Sequence, residues 1–424
     1  RAKMAIEYGA AFSSDPHIAR HDPARVLADV DAKRRIVALH DDFAVYSVTL
    51  RPWLWLLSRN RDCRIFQDKT SLEIAREIFS ERGFSDLESR LFTTLQPREY
   101  CVQYNESDLG FISRLFAHDG IYYYFKHEQG KHTLVLADGA SAHDPLPGFE
   151  TVAYKHFERS DAPDLGFIDN WRVTKQILPG KVTLNDYDFT KPRANLEAQQ
   201  ESPKEHAQAN AAVYQYPGHY TDPAIGADQA VVRLEEAQAA YEIAHGSTQA
   251  KWLATGALFT LEKHPRDDQN REYLVISTSY DVDAGAFSSS GGASSRMSTR
   301  FGVLSSQVPF RPRRSTPVPF VSGPQTAVVV GPKGEELWTD KYGRIKVQFA
   351  WDRRGKRDES SSCWIRVSQG WAGPGWGAVH LPRIGQEVLV DFDYDTGGTF
   401  VLDEFDNSFE LRWSYQSYLS VYAR

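Results

Sequence analysis

Between residues 323 and 392, five short runs of apolar and β-branched residues are separated by turn formers, and this spacing leaves few folds open. The runs fall at 326–330, 345–351, 363–368, 376–381 and 388–392. Gly331-Pro332, Tyr342-Gly343, Gly373-Pro374-Gly375 and Pro382-Arg383-Ile384-Gly385 punctuate them, and such clusters end strands because glycine and proline fix the backbone turns that a ladder cannot hold. Apolar and polar residues alternate along 344–351 and 365–367, as a strand with one face inside a barrel requires. About five strands in some seventy residues predict a small closed barrel of the OB type.

Three stretches of this region, GPQTAVVVGPKGEE, TDKYGRIKVQFAWDRRGKRDESSSCWIRVSQGWAG and WGAVHLPRIGQEVLVDF, together resemble the OB domain of the VgrG family. These are tip spikes of type VI secretion machines, here of the Rhs-element-associated type, and they are similar to the hub and spike proteins of contractile phage tails. The resemblance continues upstream through LRPWLWLLSRNRDCRIFQDKT, YCVQYNESDLGFISRLFAHDGIYYYF, KHTLVLADGA and HPRDDQNREYLVIS, covering roughly 43–392. It implies a non-enzymatic structural tip: a homotrimer that caps a tube of Hcp rings, carries effectors or a PAAR-type point, and meets the target membrane only mechanically. It also implies synthesis in the cytoplasm and export by the apparatus itself, without a signal peptide. Measured against the family pattern, both ends look shortened: 1–40 offers no counterpart of the first barrel's early strands, and 407–424 no β-helix needle, so trimerisation is expected to be weak.

The expected architecture is mainly β with a few short helices. A phage-hub-like β-barrel region over 1–308 leads through a proline-rich linker at 309–324, with Arg311, Arg313 and Arg314, to an OB barrel at 325–406 that docks as a separate unit, and a tail at 407–424. With 424 residues the chain has room for two to four domains. Upstream, residues 43–50 alternate as a strand. Thr70 with Glu73 forms a capping box ahead of Leu72, Ile74, Ala75, Ile78 and Phe79, with Gly83 as the stop. A second helix begins at Ser107 and ends before Gly120, and 121–126 with 132–136 form a hairpin. Further strands are expected at 170–176 and 181–186, joined at Pro179-Gly180, then a mobile polar excursion at 191–217. A helix over 228–245 with Val231, Leu234, Ala237 and Tyr241 as its stripe precedes strands at 258–262 and 272–280, and 288–295 reads as a flexible Ser/Gly loop tip.

The candidate chemistry is thin. His127, Glu128 and His132 have a spacing of five where a zinc-binding helix needs four, and Gly130 puts them on a hairpin. Asp391, Asp393 and Asp395 resemble half a calcium loop, but Thr396 stands where glycine is needed and Leu402 where a bidentate Glu is needed. Asp352, Asp358 and Glu359 lie among Arg353, Arg354, Lys356 and Arg357, which points to ion pairing on a loop. The three cysteines, Cys63, Cys101 and Cys363, share no metal-binding spacing and read as buried reduced thiols. No catalytic, cofactor or metal site is therefore assigned and no cofactor is expected. Two rival readings are a metal-dependent hydrolase effector and an OB-fold nucleic-acid-binding protein using Trp351, Trp364, Trp371 and Trp376 with the 353–357 loop. Against the latter, residues 324–424 carry 12 basic and 14 acidic side chains and the whole chain has a net charge of −7, which provides no electrostatic funnel. The most apolar stretch, 45–57, is broken by Thr49, Arg51 and Pro52, so neither a signal peptide nor a membrane span is read.

Overall fold

The computed structural model describes residues 4–8, 51–128, 131–155, 166–250, 253–283, 296–373, 375–392 and 400–403. They form two compact units, one gathering the described parts of Arg1–Pro52, Tyr123–Gln176 and Ala239–Phe310, the other those of Trp53–Tyr122, Ile177–Gln238 and Arg311–Arg424.

In the first unit, strands follow in the order Thr151–Ala153, Leu258–Glu262, Glu272–Asp283, Arg296–Ser305, Glu242–Thr248, Ile168–Lys175. Tyr154 then bridges Ile168, with the Lys155 N–H donating to the Ile168 carbonyl at 2.9 Å, and this returns the sheet to its first strand. A barrel results, and its interior is filled by Val152, Ile168, Phe259, Leu261, Tyr273, Val275, Phe301 and Val303. Alternation along each strand sends these inward and their neighbours outward. Met4–Tyr8 pairs antiparallel with 278–282, so the first forty residues do contribute a strand where the sequence showed none. The expected hairpin is present as Tyr122–Glu128 and Lys131–Ala137.

In the second unit, helix α1 (Ser71–Glu81) starts at Thr70 with the reciprocal capping box and stops at Gly83, φ +78°. The Phe84 N–H donates to the Phe79 carbonyl at 2.9 Å and the Gly83 N–H to the Ser80 carbonyl at 3.0 Å. This is the Schellman arrangement, which needs a left-handed residue at that position. Helix α2 (Asp108–His118) repeats the design with Ser107 as its cap and Gly120, φ +74°, after its end. Trp53, opening the 3-10 turn Trp53–Arg59, packs edge-on to Phe79 and stacks on Phe84. Helix α3 (Pro223–Gln238) covers a three-stranded sheet of Ala198–Glu201, Lys181–Leu184 and Ala212–Gln215.

Two expectations are corrected in this region. Residues 191–217 are ordered structure, with Leu196 and Ala198 in a core with Val182, Leu184, Tyr220, Ala230 and Leu234; so few inward positions in a polar stretch leave almost no periodic signal. The two strands expected to be joined at Pro179-Gly180 are present and go to different sheets, Ile168–Lys175 to the barrel and Lys181–Leu184 to this one. Residues expected to end the third helix belong instead to the strand Glu242–Thr248. That helix buries Gly226, Ala230 and Leu234, while Val231 faces outward.

The barrel predicted near the C-terminus is present as Lys346–Phe349, Gln325–Val330, Glu387–Phe392, Phe400–Asp403 and Arg366–Val367, in that order. Ile345 and Ile365 exchange both backbone hydrogen bonds, at 2.9 and 2.7 Å, and close the ring. Ala327, Val329, Ile345, Val347, Phe349, Ile365, Val388 and Val390 fill it. The run at 376–381 is not a barrel strand. Trp376–Gly377 pairs only with Ala372–Gly373 as an outlying ribbon, because Gly375 (φ +79°) and Gly377 (φ +133°) turn the chain sharply there. The segments 43–50 and 288–295 and the tail 407–424 lie outside the described residues.

Because Ile365 is fully buried at the closure, Ile365→Ala should cost about 3 kcal/mol in urea unfolding. Ile365→Asp, which buries an unpaired charge, should leave the barrel unfolded at 25 °C. A soluble Asp variant with wild-type melting would contradict the closure.

Candidate functional site

In the second unit a charged seam lies between the 53–122 segment and the five-stranded barrel. The strand Arg61–Phe66 pairs antiparallel with Cys101–Ser107, and a register shift between Asp62 and Arg64 turns Arg64 inward. Arg64, 1% exposed, donates from Nη2 to Asp108 Oδ1 at 2.6 Å, from Nη1 to Glu81 Oε2 at 2.9 Å and from Nε to Gln103 Oε1 at 2.8 Å. Asp108, fully buried, also accepts from Arg82 Nε at 2.9 Å and Gln103 Nε2 at 2.9 Å. As the first residue of α2 it lies at the positive end of the helix dipole. Burial lowers the Arg64 pKa, against the pull of Asp108 and Glu81.

From there the charges alternate outward to the barrel's loop. Arg354 donates to both oxygens of Glu81, at 2.7 and 3.2 Å, and this bond holds the Glu81 pKa below its usual range. Arg353 Nη2 donates to Asp62 Oδ1 at 2.6 Å; burial raises the Asp62 pKa, but the hydrogen bonds from Arg353 and the Cys63 N–H bring it below the ordinary value. Gln67 Nε2 donates to the Ser360 carbonyl at 2.6 Å, and Gln325 receives Trp351 Nε1 at 2.8 Å while donating to Tyr104 Oη at 2.7 Å. The loop arginines are thus paired as expected, but with Asp62 and Glu81. The loop's own carboxylates serve its turns: Asp352 accepts from the Arg354 and Gly355 N–H groups and Asp358 from Ser360.

A second cluster joins α2 and α3. Arg233 of α3, buried, donates to the His118 and Ala117 carbonyls at 2.5 and 3.4 Å, satisfying backbone acceptors at the end of α2. From the proline-rich segment, Arg311 donates to the Gly120 carbonyl at 2.8 Å and to Glu235 at 2.7 Å, and Arg314 to Glu236 at 3.0 Å. His118 Nδ1 lies 2.9 Å from Asp119 Oδ1, which also accepts from Arg98 at 2.6 Å. Burial holds the His118 imidazole down to about 4 despite Asp119, and burial lowers His219 as well.

The residues flagged from the sequence do not converge. His127 and His132 face each other across the hairpin, ring centroids 6.0 Å apart, and among the described residues no group of three His, Cys, Asp or Glu is placed to hold a metal. Asp391 is buried, its Oδ1 accepting from the Phe392 N–H; Asp393, Asp395 and Thr396 lie outside the described residues. All three cysteines are free; Cys101 is buried, Cys63 and Cys363 are half-buried, and burial pushes the Cys363 thiol up to about 12. Of the four tryptophans, Trp351 stacks on Phe349 and Trp364 packs on Trp338. Trp371 and Trp376 are exposed on the ribbon, so the four do not line one surface. Sequence reasoning missed Asp62, Arg64, Glu81 and Asp108. The available signal was Arg64 sharing a strand face with Phe66 in a run otherwise fit for a core.

Two closed barrels in one chain, the second an OB barrel seated on a small helical segment, define a tail-hub and injector class of protein. The phage tail baseplate hub (GPD) model matches 26–286, and the type VI secretion system/phage-baseplate injector OB domain model matches 326–398. The chain belongs to the phage tail baseplate hub family and, within it, to the VgrG family of type VI secretion spike proteins. It is 48% identical to the type VI secretion system spike protein VgrG1a of Pseudomonas aeruginosa over 374 residues, 87% of this chain and 57% of that protein. It is 37% identical to the actin cross-linking toxin VgrG1 of Vibrio cholerae, over 82% of this chain and 32% of the toxin. Among solved structures it resembles the E. coli c3393 protein, described as a type VI secretion component with structural similarity to T4 bacteriophage tail proteins gp27 and gp5. There the TM-score is 0.54 at 18% identity, over 83% of this chain and 76% of that one. The chain spans about half the length of the curated relatives it matches.

Arg64→Met leaves Asp108 and Glu81 short of a buried partner and should cost about 3–5 kcal/mol in urea unfolding. Arg353→Ala, at a largely exposed side chain, should cost under about 1 kcal/mol and nothing measurable in 1 M salt. Equal losses at the two positions would contradict the inner and outer roles. For pH the sign is set by His118. Its folded pKa of about 4 lies below the ordinary value of 6.5, so only the unfolded chain gains a proton between those values. Stability should be full above pH 6.5 and fall as pH drops from 6.5 towards 4, and His118→Gln should flatten that slope in urea melts at pH 7.5 and 5.

Proposed function

We propose that this chain is the hub and OB portion of a type VI secretion spike: a structural, non-enzymatic part that caps the Hcp tube as a homotrimer. It is pushed outward with the tube, carrying an effector or a PAAR-type tip. The observation that carries this reading is the tandem of hub and injector OB models along one chain, at 48% identity to a protein named as a spike. The domain division proposed with it is hub 1–308, linker 309–324, OB barrel 325–406 and tail 407–424. The two matched ranges support it, while the compact unit that holds the barrel also takes in 53–122 and 177–238. Synthesis in the cytoplasm with export by the apparatus is part of the same reading; among the described residues no helix is long and apolar enough to cross a membrane.

Purified chain mixed with its cognate tube protein should show, by negative-stain electron microscopy, three-fold density seated on the end of tube rings. Chains that stay single and leave the rings bare would contradict the proposal, as would metal-dependent hydrolysis of peptidoglycan, lipid or nucleotide substrates by the purified chain.

A further inference from the structure

The outer wall of the six-stranded barrel carries a trough of about 440 Å³ lined from four adjacent strands, Ile168–Lys175, Glu242–Thr248, Arg296–Ser305 and Glu272–Asp283. Two outward rows of residues cross it. Arg172 stands opposite His245, His245 opposite Gly302, and Gly302 opposite Ser277; in the next row Asn170 stands opposite Ser247, Ser247 opposite Arg300, and Arg300 opposite Ser279.

The dent exists because Gly302 has no side chain: a Cβ there would come within 2.6 Å of Ser277 Oγ. Register shifts at 247/248 and 275/277 flank it and bend the wall, as bulges do at re-aimed positions on barrels. Arg172, His245 and Arg300 are exposed. No carboxylate among the described residues pairs with Arg172 or Arg300, whereas Arg64, Arg82, Arg114, Arg271, Arg311 and Arg353 are each tied into an ion pair. The nearby Asp169 carboxylate is taken by the Ser247 hydroxyl at 2.7 Å.

We propose that this trough is a docking site for an acidic, extended polypeptide segment of a partner protein. Two guanidiniums two strands apart, roughly 10 Å in the hydrogen-bonding direction, suit carboxylates spaced along an extended chain, each of which an arginine can grip through two parallel bonds. Asn170, Ser277 and Ser279 supply hydroxyl and amide groups for the backbone between them. The wall favours protein over nucleic acid because the ring beneath the trough, Phe301, is buried in the barrel and offers no face on which a base could stack. This site stands whether or not the spike reading holds.

The test is fluorescence anisotropy of labelled hexaglutamate with the full chain in 50 mM salt, with an unlabelled single-stranded oligonucleotide and inorganic phosphate as competitors. The peptide should bind, weaken steeply with salt, and lose at least tenfold in affinity on Arg300→Glu or Arg172→Glu. Arg193→Glu, an equal charge change at an exposed site in the other unit, should lose under twofold. Should a charge reversal fail to fold, Arg172→Gln gives the same comparison with a smaller expected loss of about threefold. No binding at millimolar chain, equal losses at Arg193 and Arg300, or stronger competition by the oligonucleotide than by unlabelled peptide would overturn the proposal.

Discussion

The contact between Arg64 and Asp108 is the constraint on which the second unit depends. Both side chains are buried, and a buried charge is tolerable only if its hydrogen-bonding capacity is met by opposite charge and fixed polar groups. Here Gln103, Glu81 and Arg82 complete the shell. Each comes from a different place, the ladder strand, the end of α1 and the residue after it, so meeting the requirement fixes the helices against the strands. A packed apolar core of the same volume would be at least as stable. What the ionic arrangement adds is directionality: Arg64 accepts only one register of the 61–66 and 101–107 ladder.

The same network continues to the barrel through Glu81, Arg354, Asp62 and Arg353, its loop arginines far more exposed than Arg64. Its inner end is a structural lock, while its outer end is a salt-screened contact of modest strength. The barrel is therefore part of a larger compact unit with 53–122 and 177–238, and the proline-rich segment that leads into it is itself pinned by Arg311 and Arg314. In a protein proposed to be driven outward by sheath contraction, such crosslinks would spread load between the barrel and the helical segment.

How much of this could be read from the sequence follows from how local each signal is. The capping box at Thr70 and the stops at Gly83 and Gly120 are local, and the structure matches them; of the alternation read over 344–351 it keeps the strand Lys346–Phe349, with 350–351 in a turn. The closure of each barrel rests on one bridge between distant residues, Tyr154 with Ile168 and Ile345 with Ile365, and only the second was suggested by the spacing of short strands. The polar 191–217 stretch looked mobile because two inward side chains, Leu196 and Ala198, are all it gives the core. The ion network was invisible because its hydrogen-bonded pairs join residues 17 to 291 apart and each looks like ordinary surface charge. The trough on the first barrel was equally hidden, since it depends on which strands become neighbours.

The central structural claim is that the barrel and the 53–122 segment unfold as one cooperative piece, because the Arg354–Glu81 and Arg353–Asp62 pairs, the Gln67 and Gln325 hydrogen bonds and Tyr100 packed on the barrel core together join them. Native-state hydrogen exchange resolved to peptides measures this directly. The account predicts that amides of 61–66, 101–107 and 345–349 exchange through the same opening free energy, and that Asp108→Asn lowers all three together. Barrel amides that keep their wild-type opening energy while those of 61–66 and 101–107 fall would contradict it.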